Sequence, residues 1–193
     1  MNQKVLSLEW WEQLEEQWKI AFNQAFWKKA DLLAQPTNDE LKDLRTTPTL
    51  RIVGPGAPFS NCSIQLTNLK GLTALTQIEM LFLTDHNIRS IESLKKMSKL
   101  NTLFIHNNPL KSIDGIQGLK QLKELFIQNT QIESLAPIHS LSSLQTLNCA
   151  ATQINKLVIP KNLKTLMCIP NENLPDREII RVENRLGIRC RQG

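Results

Sequence analysis

Three histidines (His86, His106, His139) and four cysteines (Cys62, Cys149, Cys168, Cys190) are the side chains best suited to metal or nucleophilic chemistry in this chain of 193 residues. They form neither a CxxC pair nor the Cys/His spacing of a zinc finger. Cys149 and Cys168 each close an apolar-x-Cys pattern within a strand-like run, which suits small buried apolar side chains. The run Gly54-Pro55-Gly56-Ala57-Pro58 has no Lys-Ser/Thr tail and no GxGxxG order, so it reads as a turn rather than a phosphate cradle. Paired carboxylates of defined spacing are absent as well. The expectation is a non-enzymatic protein with no catalytic residues, no cofactor and no metal.

What recurs is apolar spacing. Leu100, Leu103, Ile105, Asn108, Leu110, Ile113, Ile116 and Leu119 return 22 residues later as Leu122, Leu125, Ile127, Thr130, Ile132, Leu135, Ile138 and Leu141. The same template 22 residues earlier reads Ile78, Leu81, Leu83, His86, Ile88, Ile91, Leu94 and Met97. A further unit runs Leu144, Leu147, Cys149, Thr152, Ile154, Leu157, and a 19-residue step then gives Leu163, Leu166, Cys168 and Asn171. Leu66, Leu69, Leu72 and Leu75 supply a partial leader. A period of this length marks stacked units, none of which can bury its apolar edge alone.

These residues resemble the leucine-rich-repeat family in its 22-residue class, known from bacterial internalins and a nuclear regulatory subunit of a protein phosphatase. The resemblance spans roughly Ser63 to Leu174. It implies an α/β right-handed solenoid: a shallow arc of short parallel strands inside, and 3₁₀ or extended segments on the convex side. Asparagine at the ninth template position normally bonds backbone groups in the bend. Here that column is His86, Asn108, Thr130, Thr152 and Asn171, and His86 reads as a satisfied bend residue.

Strand alternation turns positions one, four and six inward and leaves three, five and seven on the concave face. Position five is Phe82, Phe104, Phe126, Asn148, Met167; position three is Met80, Thr102, Glu124, Thr146, Thr165; position seven is Thr84, His106, Gln128, Ala150, Ile169. Three consecutive phenylalanines should stack at the strand spacing of about 4.8 Å. Such an apolar patch, rimmed by Thr102, Glu124, His106 and Gln128 and extended by Met167, has the make-up of a partner-binding surface. The expected function is a scaffold binding another protein or peptide; self-association through the same face is the alternative.

Raw solenoid ends need caps. Residues 1–48 read as a helical N-terminal cap: Trp11, Leu14, Trp18, Phe22, Ala25 and Phe26 form one helical stripe from the N-cap Ser7. Thr37-x-x-Glu40 opens a second helix with a capping box. A partly exposed cluster of Trp10, Trp11 and Trp27 would be a second docking option; the leading segment resembles that of bacterial leucine-rich-repeat proteins. Residues 49–174 form the array. Residues 175–193 read as a capping helix closing at Gly187, with Ile179, Val182 and Leu186 inward and Arg177, Arg181 and Arg185 on another face.

Net charge is +5, with 41% hydrophobic residues, an ordinary folded composition; nucleic-acid binders usually concentrate a stronger excess on one face, so the charge alone argues little and nucleic acid is not the expected partner. No run is long enough to cross a bilayer, and the start, Met1 to Leu6, shows no signal-peptide core, so a cytoplasmic location is expected unless a signal has been trimmed.

Overall fold

A computed structural model describes residues 6–193; the side chains of Arg185 and Leu186, assigned above to faces of the last helix, lie outside what it describes, as do residues 1–5. Seven short strands run parallel in chain order: β1 (Thr49–Arg51), β2 (Met80–Phe82), β3 (Thr102–Phe104), β4 (Glu124–Phe126), β5 (Thr146–Asn148), β6 (Thr165–Ile169) and β7 (Cys190–Gln192). Equivalent repeat positions pair in register, so Leu81, Leu103, Leu125, Leu147 and Leu166 stand in one buried column. Parallel neighbours in unbroken sequence order mean that each repeat is one circuit stacked on the last.

The return path explains the three-residue apolar spacing. Short 3₁₀ turns occupy Lys70–Leu72, Glu92–Lys96, Ile116–Gly118 and Ala136–Ser140. A 3₁₀ turn brings every third side chain to one face. Ile91, Leu94 and Met97, then Ile113, Ile116 and Leu119, accordingly sit in the core. That core is continuous from Leu6 to Val182.

Each bend is held by the ninth-position side chain. Asn108 accepts from the Ile88 N–H (3.0 Å) and donates to Leu83 O (2.8 Å) and Ile105 O (3.0 Å). His86 does the same work with a longer reach: its Nδ1 accepts from the Leu66 N–H (3.1 Å), which leaves Nε2 to donate to Ile52 O (3.1 Å). The Thr130 hydroxyl bonds only locally, to Ile127 O, whereas that of Thr152 donates to Cys149 O and also across the repeat to Asn171 Oδ1, which takes the Thr152 N–H as well. The preceding residues Asp85, Asn107 and Asn129 have positive φ (62°, 56° and 54°), a conformation that Asn and Asp tolerate well. Their side chains form a ladder, Asn129 donating to Asn107 and Asn107 to Asp85.

The N-terminal segment departs from a single helix. It forms α1 (Leu8–Glu12), α2 (Glu16–Ala21) and a π-helical turn at Phe22–Phe26, followed by α3 (Asn38–Thr46). Trp10 and Trp11 are adjacent yet both buried, whereas a straight helix would turn one of them about 100° off the Trp18–Phe22 stripe. The break after α1 lets both rings inward. It also frees Glu15, whose carboxylate accepts from Asn68 (2.7 Å) and Lys70 (3.0 Å) on the leader repeat. Trp18 lies flat on Gly71, where a Cβ would come within 2.2 Å of the ring. Trp27 is half-buried against Trp11 (ring centroids 5.6 Å apart). Trp10, Trp11 and Trp18 are thus core residues packed at the first repeat, and Trp27 alone of the four keeps part of its surface open. Thr37 and Glu40 complete the capping box that opens α3.

The C-terminal segment holds more than a helix. α4 (Asp176–Leu186) closes at Gly187 (φ 66°) with Val182 buried. The chain then adds β7 to the sheet, with Cys190 opposite Leu166. Glu183 accepts the Cys190 N–H (3.0 Å), tying helix to strand. β7 thus pairs the otherwise open edge of β6. Arg181 is not a free cation: it donates to Leu157 O (2.7 Å) and to Glu178 (2.8 Å).

Candidate functional site

Positions three and five of each strand face the open side of the sheet, and the middle position is buried throughout. Phe82, Phe104 and Phe126 stack face to face there. Ring centroids are 4.6 Å and 4.1 Å apart, with planes within 7° and 3° of parallel. Parallel in-register strands impose this sandwich, since isolated rings prefer offset or edge contacts. Stacking hides most of the inner faces, so the ladder is half-buried and presents edges and two outer faces, less apolar surface than three separate rings would.

The expected rim assembles unevenly. Glu124, His106 and Gln128 are half-buried around the ladder. Thr102 is not part of an accessible rim: it is 5% exposed, because its hydroxyl bonds Glu124 (3.2 Å), whose side chain lies over it. Met167 is half-buried two strands beyond the ladder. Between them the face is closed, Asn148 being 5% and Ala150 2% exposed. Gly193, bonded through its N–H to Ile169 O, packs there: a Cβ on it would lie 2.5 Å from Asn148 Oδ1 and 2.7 Å from Ala150 Cβ. The segment following α4 therefore separates Met167 from the phenylalanines.

At the other end the face is larger than the repeats alone suggested. Arg51 of β1 is in register with Phe82 and exposed, in the same row as the ladder. Its guanidinium donates to Phe59 O (2.5 Å), and Phe59, 81% exposed, is the most exposed large apolar side chain among the described residues. Met80 is also exposed. An array that opens at residue 49 has Arg51 in its first strand, and register with Phe82 puts it in the row; the contact with Phe59 depends on a loop with no repeat signal.

Burial favours the neutral form of two histidines and of the core thiols. Burial pushes the His106 pKa below its ordinary value, with Asp85 opposing in part, and burial does the same to His86. His86 lies in a bend, His106 on the concave face and His139 in a convex 3₁₀ turn. Burial raises the Cys149 thiol to about 12 and pushes Cys168 up further in direction. All four cysteines are free, and no group of His, Cys, Asp and Glu capable of holding a metal occurs among the described residues. No helix among them is long and apolar enough to cross a membrane.

This parallel, open, stacked sheet with its repeated leucine column defines a leucine-rich-repeat solenoid, and residues 98–138 match the family model for two copies of the leucine-rich repeat. The fold is internalin-like. The functional domain of InlJ from Listeria monocytogenes, described as including a cysteine ladder, superposes with a TM-score of 0.69 at 21% identity over 90% of this chain and 36% of that one. An internalin (inlF) from the same organism gives 0.60 at 19% identity over 78% and 48%. A leucine-rich-repeat protein of Leptospira interrogans gives 0.59 at 24% identity over 77% and 38%. The chain thus spans less than half the length of each of these structures. No curated protein matches the sequence.

Proposed function

We propose that the protein is a binding scaffold that takes a protein or peptide segment on the concave face, centred on Phe82, Phe104 and Phe126. The single observation carrying this is the stacked ladder itself. The solenoid is already stabilised by its buried leucine column, and the open face does not require large apolar residues. Glu124, His106 and Gln128 rim the ladder, an apolar centre with a polar edge as in protein interfaces. Met80 and Phe59 extend the patch, while Met167 and Thr102 contribute nothing to it directly. Leucine-rich-repeat proteins act generally as interaction scaffolds, which accords with this reading and with a role without catalysis. Four free thiols suit a reducing compartment.

Replacing Phe104 and Phe126 with serine tests the reading. Capture of partners from the native source should be lost while the variant still melts cooperatively. Unchanged capture would place the binding surface elsewhere. Sedimentation of the purified protein at high concentration separates partner binding from self-association, for which a concentration-dependent dimer is required.

A further inference from the structure

We infer that the segment recognised by the ladder is acidic as well as apolar, carrying an Asp or Glu that reaches Arg51 and Lys28 while its apolar side chains lie on the phenylalanines. This rests on the ladder being the binding face. The row that begins with the rings does not end at Phe82. One strand further on, about 4.8 Å away, stands Arg51. Arginine has five N–H donors, and Arg51 uses one of its terminal nitrogens on Phe59 O.

A cavity opens just beyond, between the π-helical turn and β1. Its lining includes Phe26, Lys28, Thr49, Arg51 and Asn61, two cations with no carboxylate. Lys28 and Arg51 form no ion pair among the described residues. Lys28 is exposed and held at a positive φ of 57°, which fixes where its side chain starts. By contrast the acids near the ladder are engaged: Glu124 by Thr102, two strands from Phe82, and Asp85 by the Asn107 amide. The face therefore runs from unpaired positive charge and an exposed Phe59 at one end to rings and a bonded acid in the middle. A neutral apolar segment would leave both cations unmatched, and a basic one would be repelled by them. In an extended segment rising about 3.3 Å per residue, the acid falls one or two residues from the side chain seated on Phe82.

Random linear peptides displayed on phage provide the test, selected in parallel on wild type, on Arg51→Gln/Lys28→Gln and on Phe104→Ser/Phe126→Ser. Wild type should enrich peptides with Asp or Glu beside an apolar pair. The strongest of these, made synthetically, should bind the charge variant roughly tenfold more weakly and the ring variant not at all. Arg51→Gln alone provides a second variant should the change at Lys28 disturb the cap. Apolar peptides without acids, sensitive to the ring variant and indifferent to the charge variant, would overturn the acidic partner and leave the ladder standing. Peptides binding the ring variant as well as wild type, or no enrichment at all, would overturn the ladder reading and this inference with it.

Discussion

At the scale of single residues, His86 is the most informative side chain. Its Nδ1 must be unprotonated to accept the Leu66 N–H. Burial holds the folded-state pKa below the ordinary value of 6.5, so the unfolded chain binds the proton more readily. The associated stability is complete above about pH 6.5 and is lost as pH falls towards the folded pKa; His106 acts in the same direction. The midpoint of thermal unfolding should therefore fall between pH 7 and pH 5.5. His86→Asn, which restores the side chain found at position 108, should flatten part of that slope. His86→Ala should cost about 1–3 kcal/mol for each backbone group left without a partner. Thiol titration with a disulfide reagent gives a separate check: Cys62, Cys149 and Cys168 are buried with raised pKa values and should react only after denaturation. His86 was legible as a bend residue because it falls in the asparagine column. Its reach to Ile52, a residue outside the regular repeats, was not.

At the scale of elements, the caps decide whether the array is sealed. Glu15 ties the break after α1 to the leader repeat, and bonds from Asn68, Lys70 and Gln17 hold its carboxyl down at about 2. A depressed carboxyl stabilises above its unfolded value near 4.5 and loses that contribution as pH falls towards 2. Glu15→Gln should accordingly lower the unfolding midpoint at pH 7 and make little difference at pH 2. Gly71→Ala should be the harsher lesion, since the added methyl meets the Trp18 ring. Tryptophan emission should shift red in that variant as the plug loosens. The helical break was hidden from sequence because Trp11, Leu14, Trp18 and Phe22 keep a helical spacing straight through it. Only the simultaneous burial of Trp10 betrays it. β7 was equally hidden: Cys190-Arg191-Gln192 has no apolar alternation and becomes a strand because β6 offers an unpaired edge.

At the scale of the molecule, stability is shared along one continuous core, so damage at the centre should spread. Leu103→Ala and Leu125→Ala, both fully buried, should each cost about 2–5 kcal/mol, measured by denaturant unfolding. The array was legible because its 22-residue period is strict across three units, and the phenylalanine row followed from it by alternation alone. The extent of the open face did not follow. It is trimmed at one end by Gly193 over Asn148 and Ala150, and lengthened at the other by Arg51 and Phe59, through contacts made by parts of the chain outside the regular repeats. The central claim is that the remaining ladder binds. The most direct measurement is calorimetric titration of one captured partner into wild type and into Phe104→Ser/Phe126→Ser, with melting of both proteins recorded alongside. The account predicts an affinity loss of at least roughly a hundredfold, about 2.7 kcal/mol, with cooperative melting retained. Equal affinities for the two folded proteins would contradict it.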